Sequence, residues 1–276
     1  MMERKWKMNP FVFSCIAPHG GEIIPELAGE KPERMNITRQ SMLRLGNWMK
    51  EAEPGCLIVL TPHGTRIDGQ FSITGSETVE GIVEENGEKF SMKRKIHREM
   101  ADLLARGAKA EGLPAGVIGF GTSAGPLSCL QLDWGAAVPL RFMPDIPVVI
   151  ITPSRSISYE MHIEFGRMMR KVVAASGIRT GLIASCDWSH THNPAGPYGY
   201  HEEAQILDEK VTLLLQQDNL EEMAEFPEES IENAKPDGIW QTMILAGAIP
   251  FDERKSKFLS YEAPTYFGLL CMAYHQ

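Results

Sequence analysis

Residues 56–62 read CLIVLTP, a short apolar run, and His63 and Gly64 follow it directly. Near-continuous apolarity over a run of this length is typical of a strand that is covered on both faces of a parallel sheet. Four further runs share the pattern: FVFSCIA at 11–17, AGVIGF at 115–120, IPVVIIT at 146–152 and GLIAS at 181–185. The stretch at 56–64 therefore predicts a buried strand that ends in a polar loop.

Segments with helical spacing of apolar residues lie between these runs. They are residues 35–52, 91–112, 158–177 and 201–217. Strands that alternate with helices predict an α/β fold, with a central, largely parallel sheet flanked by helices. The basic run at 92–99 is interpreted as the polar side of the second helix, and the acidic stretch at 218–237 as a solvent-facing helix. Ligands of such sheets bind in a cleft at the carboxyl ends of the strands, where chemistry is expected.

Composition limits the class of protein. The chain has 276 residues, 43% hydrophobic and 23% charged, which is ordinary for a globular protein, and we treat residues 1–276 as one domain. A net charge of −9 argues against a nucleic-acid partner. No apolar stretch reaches the roughly 18–20 residues that span a bilayer, so no membrane segment is expected.

The N-terminus and the cysteines indicate in which cellular compartment the protein is expected. Residues 1–17 place charges before a short apolar run, which is too short for a signal peptide and is interpreted as the first strand. The five cysteines are scattered through apolar runs. This usage favours reduced thiols and a cytoplasmic location over a disulfide framework.

Three histidines follow predicted strands. His19 and His63 each stand in a Pro-His-Gly tripeptide, and His190 ends the sequence SCDWSH. Neutral imidazole is the commonest metal ligand among side chains, so His19 and His63 are candidate ligands. A site needs a third ligand, and the candidates at strand ends or in loops are Asp68, Asp133, Asp187, His190, His201 and Glu262. Glu262 is a lone carboxylate in the apolar segment 257–274, where it needs a metal or a salt-bridge partner.

Five motifs occur in a fixed order along the chain: IAPHGG, TPHG, LDWGAAVPL, SCDWSH and SYEAPTYFG. Together they resemble the class III extradiol ring-cleavage dioxygenase superfamily, catalytic-subunit type, from about residue 12 to residue 272. The resemblance implies a mononuclear non-haem Fe(II) centre held by His19, His63 and Glu262. It also implies that His190 is the acid/base in the cleavage of a catechol or aminophenol-like aromatic by O₂.

Two stretches depart from the ring-cleaving members. Trp134 stands where many of them carry a histidine, so it either stacks on an aromatic ligand or fills the pocket. The loop after His190 resembles the uncharacterised, Memo-like-related branch of the superfamily. It makes His192 a second catalytic candidate, and Tyr200 and His201 join Trp134 as candidates for substrate binding. The alternatives are loop surface for His192 and a helix start for His201.

Other functions remain open on the same scaffold. Zn²⁺ also accepts two histidines and a carboxylate with an open position, so a zinc hydrolase is an alternative to the iron enzyme. A non-enzymatic Memo-like binding protein is another, if Trp134 closes the pocket. The resemblance further implies a homo-oligomer, such as a homodimer, or a small second subunit. Arg66, Arg141 and Arg155 are candidates to bind a substrate carboxylate.

Overall fold

The computed structural model describes residues 9–274. Two segments lie outside it: residues 1–8, which hold the charges considered above as part of a signal peptide, and residues 275–276. The strands are β1 Phe11–Ala17, β2 Cys56–Leu60, β3 Phe71–Thr74, β4 Thr78–Glu85, β5 Glu88–Lys95, β6 Ala115–Ile118, β7 Cys129–Gln131, β8 Val148–Thr152, β9 Thr180–Ser185, β10 Ser256–Glu262 and β11 Leu269–Tyr274. The helices are α1 Asn36–Glu51, α2 Arg98–Ala110, α3 Trp134–Leu140, α4 Tyr159–Ser176, α5 Glu203–Gln216, α6 Glu228–Ala234 and α7 Ile239–Ala248.

A central sheet carries eight of the strands, in the order β10-β11-β1-β9-β2-β8-β3-β6. Its middle four strands, β1, β9, β2 and β8, run parallel to one another. These are four of the five predicted strands, and they are almost wholly buried. The predicted α/β fold with a largely parallel central sheet is therefore confirmed.

Helices cover both faces of this sheet. One apolar core joins the sheet to α2, α4, α5 and α7. The other joins it to α1 and α3. Helices α4 and α7 pack closely because two glycines face the other helix: a Cβ on Gly166 would lie 2.0 Å from the carbonyl oxygen of Ile244, and one on Gly247 would lie 1.9 Å from that of Ile163.

The prediction of a helix over 91–112 is wrong in its first part. The basic run belongs to β5, which pairs with β4 in a second sheet of order β5-β4-β7, and α2 begins only at Arg98. Met92 is buried between exposed neighbours, and a side chain that alternates in this way fits a half-buried strand. Lysine and arginine are long enough to cover the solvent face of such a strand.

The acidic stretch at 218–237 is only partly the solvent-facing helix that was predicted. It forms a 3₁₀ helix over Leu220–Glu225 and then α6, and apolar side chains in it, such as Met223, are buried. Its last residue, Asp237, is buried as well. Within residues 9–274, no helix has the length and apolar character needed to cross a membrane.

Candidate metal centre

The carboxyl ends of the central parallel strands bring the candidate residues together. His19 follows β1, His63 follows β2, and Asp187 and His190 follow β9. Because these strands are neighbours and run in the same direction, their carboxyl ends meet at one edge of the sheet. A fifth residue, Asp237, reaches the same place from the loop between α6 and α7.

Three ligand atoms converge at this edge. The Nε2 atoms of His19 and His63 lie 3.1 Å apart, and each lies 3.2 Å from Oδ2 of Asp237. His19 and Asp237 are buried, whereas His63 is partly open to solvent. Two imidazoles and one carboxylate form a group able to hold a metal ion.

The ring of His19 is held by the end of β9. Its Nδ1 lies 2.9 Å from Oγ of Ser185. Because that hydroxyl donates its only hydrogen to the carbonyl oxygen of Gly135, it accepts from Nδ1–H of His19. Nε2 of the neutral ring then carries the lone pair, and it is this atom that faces His63 and Asp237.

Asp187 fixes the backbones of the site. Its Oδ1 accepts from the backbone N–H of His19 at 2.8 Å, and its own N–H donates to Oδ1 of Asp237 at 3.0 Å. Only Oδ2 of Asp237 is therefore directed at the histidines. Asp187 thus joins the loops that carry two of the three ligand atoms.

Charges of both signs meet in a buried space. Burial opposes the charge of His19, but the carboxylates of Asp187 and Asp237 outweigh it and raise the pKa of His19 to about 9. Burial also opposes ionisation of Asp237, yet the neighbouring histidines hold its pKa well below the usual range. For Asp187, the effect of burial is larger than that of the charge of His19, so the pKa of Asp187 is raised. The site is therefore built around a carboxylate at Asp237.

Trp134 covers one face of His63. The two rings are stacked with their centroids 4.1 Å apart and an interplanar angle of 21°. Trp134 starts α3, which is capped by the carboxylate of Asp133, and Thr61 donates to that carboxylate at 2.5 Å. Trp134 is still 48% exposed, so one side of its indole remains open.

The glycine of the second Pro-His-Gly tripeptide has a packing role. A Cβ on Gly64 would lie 2.2 Å from Oγ1 of Thr152 at the end of β8. Only glycine therefore allows the loop that carries His63 to lie this close to the neighbouring strand.

His190 lies beside the three ligand atoms without joining them. Its Nδ1–H donates to the carbonyl oxygen of Lys235 at 2.8 Å, and its Nε2 lies 4.0 Å from Oδ2 of Asp237. Its ring stacks on Phe267, with centroids 5.6 Å apart and an interplanar angle of 18°. The bond to Lys235 leaves Nε2 of the neutral ring as a proton acceptor that faces the site.

Glu262 is not brought to the two histidines. It ends β10, and its Oε1 accepts from the backbone N–H of Thr38 at 2.8 Å and from its hydroxyl at 2.6 Å. The carboxylate therefore satisfies donors in the first turn of α1. This corrects the expected grouping, because the carboxylate beside His19 and His63 is that of Asp237.

His192 lies in a different network from His190. Its Nε2–H donates to Oδ2 of the buried Asp208 at 2.8 Å. The same carboxylate accepts from the backbone N–H and the hydroxyl of Ser189, at 3.0 and 2.6 Å, and from the hydroxyl of Tyr261 at 2.7 Å. These bonds hold the segment on either side of His190, so His192 has an evident structural function.

Tyr200 and His201 do not line the two cavities at the site. Tyr200 is 61% exposed. Nδ1 of His201 accepts from the backbone N–H of Glu203, the first residue of α5, as the alternative of a helix start expected. Tyr198 contacts the site instead, with its ring centroid 6.1 Å from that of His190. A substrate role of Tyr200 or His201 stays a prediction.

Two cavities open on the candidate metal centre. One, of about 640 Å³, is lined by Arg155, Tyr159, Trp240 and residues of α6, and the other, of about 620 Å³, by His19, Trp134 and Phe267 among others. His63, His190 and Tyr198 line both. Trp134 therefore stacks on His63 without filling the site.

Fold and site define an α/β protein with a cluster of two histidines and one carboxylate at the carboxyl edge of its parallel strands. Residues 14–269 match the family model described as the catalytic LigB subunit of aromatic ring-opening dioxygenase. The match covers most of the chain, so the chain belongs to this family.

The chain is also similar to individual proteins. It is 25% identical over 252 residues to Protein CA_C1420 of Clostridium acetobutylicum. The aligned stretch covers 90% of this chain and 54% of the relative. The chain thus spans about half the length of that relative. It is similar in fold to the crystal structure of uncharacterized protein JW3007 from Escherichia coli K12, with a TM-score of 0.63, 17% identity, and coverage of 95% of this chain and 98% of that one.

Proposed function

We propose that the protein is a non-haem Fe(II)-dependent dioxygenase that cleaves a catechol or aminophenol-like ring by extradiol-type chemistry. The observation that carries the proposal is the convergence of His19, His63 and Asp237 on a fold of the ring-opening dioxygenase family. His190 would be the acid/base. The ligand set differs from the sequence prediction only in that Asp237 replaces Glu262.

The three residues fit a single metal ion. Ligands roughly 2.1 Å from one metal, at right angles to each other, are separated by about 3 Å. The separations here are 3.1, 3.2 and 3.2 Å, so one metal ion could contact all three atoms. Two histidines and one carboxylate are the ligand set typical of non-haem Fe(II) oxygenases, and the hydrogen bond that Nδ1–H of His19 donates to Ser185 leaves Nε2 of the neutral ring for a metal.

The metal and the chain would divide the chemistry between them. When bound, Fe(II) supplies open coordination positions and the redox chemistry with O₂. His190 moves the protons: Nε2 faces the site and can take a proton from a substrate hydroxyl and return it as the ring opens. The bond from Nδ1 to Lys235 and the stack on Phe267 keep the ring in that orientation.

The aromatic walls suit a flat substrate. Trp134 presents an open indole face beside His63, and Tyr198 and Phe267 lie on the side of His190. Aromatic rings prefer offset or edge-to-face contacts with one another, so these side chains can orient a substrate ring between His63 and His190. The open cavities also favour an enzyme over the alternative in which Trp134 closes the pocket.

The test compares Fe(II)-loaded with Zn²⁺-loaded protein on a panel of catechols and aminophenols. We expect Fe(II)-loaded protein to consume one O₂ per ring and to form a ring-fission product that absorbs visible light. The Zn²⁺-loaded protein should consume none. An absence of O₂ uptake across the panel would contradict the proposal. Zinc at full occupancy after purification without added metal, together with hydrolase activity, would favour the zinc enzyme.

A further inference from the structure

The short connection between α6 and α7 contacts both parts of the candidate centre. It supplies Asp237, whose Oδ2 lies 3.2 Å from Nε2 of His19 and from that of His63. It also supplies the carbonyl oxygen of Lys235, which accepts from Nδ1–H of His190 at 2.8 Å. The conformation of this connection therefore affects a candidate metal ligand and the proposed acid/base together.

Lys235 makes the turn in this connection with a left-handed backbone, at φ 56° and ψ 51°. It follows the last residue of α6, and its N–H donates to the carbonyl oxygen of Ile231 at 2.8 Å. Glycine is the usual residue at such a turn, because a side chain there meets the backbone. Lys235 also precedes Pro236, and proline disfavours the right-handed helical conformation in the residue before it. Without the left-handed form, the chain is therefore expected to extend at Lys235.

The segment after β9 holds this turn in place. The hydroxyl of Thr191 donates to the carbonyl oxygen of Asn233 at 3.0 Å, and the backbone N–H of His190 donates to that of Ala234 at 2.7 Å. With the ring of His190 on Lys235, three consecutive carbonyls accept hydrogen bonds from two consecutive residues. An extended Lys235 could not keep its carbonyl in this row.

The side chain of Lys235 contributes little to this arrangement. It is exposed, and its Nζ lies 3.9 Å from Oε2 of the exposed Glu232. An ion pair of this kind adds little to stability. A left-handed residue other than glycine persists where its surroundings fix it, and here the surroundings are the bonds to the segment after β9. The centre therefore depends on the backbone of Lys235 and not on its charge.

We propose that Lys235 is a positioning residue, whose left-handed backbone sets the carboxylate of Asp237 and the ring of His190 at the same time. Through Asp237 it acts on metal binding, and through His190 it acts on proton transfer. This inference rests on the proposed function for the role of His190. Its effect on metal binding does not require turnover.

A valine at this position tests the inference, because a side chain branched at Cβ is strongly disfavoured in the left-handed conformation. Lys235→Val should weaken Fe(II) binding about 10- to 100-fold, the scale on which groups that orient metal ligands act. Competition with a chelator under anaerobic conditions measures this affinity. On any catechol that the wild-type protein cleaves, kcat should fall while KM changes little. Lys235→Gly favours the same backbone, so it should restore the metal affinity.

Glu53 offers a matched control. It follows α1, has a left-handed backbone with φ 46°, is exposed and precedes Pro54. It lies before β2, at the sheet edge opposite the candidate centre. Glu53→Val strains the chain in the same way, so both valine variants should melt at similarly lowered temperatures. Only Lys235→Val should lose affinity for Fe(II).

A second variant acts on the same turn without straining it. Thr191→Val removes one of the three hydrogen bonds and should also weaken Fe(II) binding, whereas Thr191→Ser keeps the hydroxyl and should restore it. Normal Fe(II) affinity in folded Lys235→Val, or in Thr191→Val if Lys235→Val does not fold, would overturn the inference.

Two other results would overturn it as well: an equal loss of Fe(II) affinity in Glu53→Val, or a loss in Lys235→Gly as large as that in Lys235→Val. The first would assign the effect to general strain, and the second to the lysine side chain. If Lys235→Val loses Fe(II) affinity, Lys235→Gly keeps it and no O₂ is consumed by the wild-type protein, the proposed reaction fails and the positioning of Asp237 by Lys235 stands.

Discussion

Nδ1 of His19 lies 2.9 Å from Oγ of Ser185, and this contact selects the nitrogen that His19 presents to His63 and Asp237. Ser185 is the last residue of β9, and its hydroxyl donates to the carbonyl of Gly135. The end of one strand thus orients a ligand that follows another strand. Partners of this kind fix the tautomer and the orientation of metal-bound histidines.

Ser185→Ala should weaken metal binding. The variant removes the acceptor for Nδ1–H, so we expect a loss of metal affinity of roughly 10- to 100-fold. Competition with a coloured chelator measures the affinity. Ser260→Ala is a matched control, because Ser260 is also buried and hydrogen-bonded, to Ser41 at 2.8 Å, outside the site. Equal affinity in the two variants would show that Ser185 does not orient His19.

Metal binding should release a proton and strengthen as the pH rises. The pKa of His19 is about 9 in the protein without metal, above its ordinary value of 6.5, so the ring is protonated at neutral pH. That proton must leave before Nε2 binds a metal. Apparent affinity should therefore rise about tenfold per pH unit up to about pH 9 and then level off. Calorimetry in buffers of different ionisation enthalpy counts the protons, and a release of none at pH 7.5 would refute this assignment.

His190→Gln should remove turnover and leave metal binding near normal. Glutamine can still donate to the carbonyl of Lys235, but it cannot take and return a proton. We expect kcat to fall by about 10²- to 10⁴-fold, the usual contribution of a general acid/base. Metal stoichiometry and O₂ uptake are measured on the same samples. Loss of the metal, or an unchanged kcat, would mean that His190 has another role.

His192→Gln should lower stability more than activity. Its Nε2–H donates to Asp208, a buried carboxylate that would lose this ring N–H donor. The expected loss is about 2 kcal/mol of unfolding free energy, measured by denaturant titration. Asp208→Ala should cost more, because Ser189 and Tyr261 lose their acceptor too. A stable His192→Gln protein without turnover would instead support the catalytic role that the sequence predicted.

The sheet and much of the site could be predicted because they depend on local patterns. Apolar runs such as 56–62 identify buried strands, and polar residues after parallel strands must meet at one edge. His19, His63 and His190 are accordingly found together. The basic strand β5 was missed because its charged side chains hide the alternation that marks a strand.

Asp237 could not be found in this way because no strand precedes it. It lies in an acidic run that resembles exposed surface, yet it is buried where α7, an entirely buried helix, begins directly after it and packs against α4. Glu262 was predicted to be a metal ligand partly because it is a lone carboxylate in an apolar segment, but its hydrogen-bond partner is the first turn of α1. Spacing along the chain does not distinguish a metal from a helix N-terminus as the partner of such a carboxylate.

Metal stoichiometry of Asp237→Asn and Glu262→Gln, measured side by side after anaerobic loading with Fe(II), tests the central claim most directly. We predict one Fe(II) per chain for the wild-type protein and for Glu262→Gln, and a large loss of Fe(II) for Asp237→Asn. Melting temperatures of both variants control for unfolding. Retention of Fe(II) by folded Asp237→Asn, with its loss from folded Glu262→Gln, would contradict the assignment of His19, His63 and Asp237 as the metal ligands.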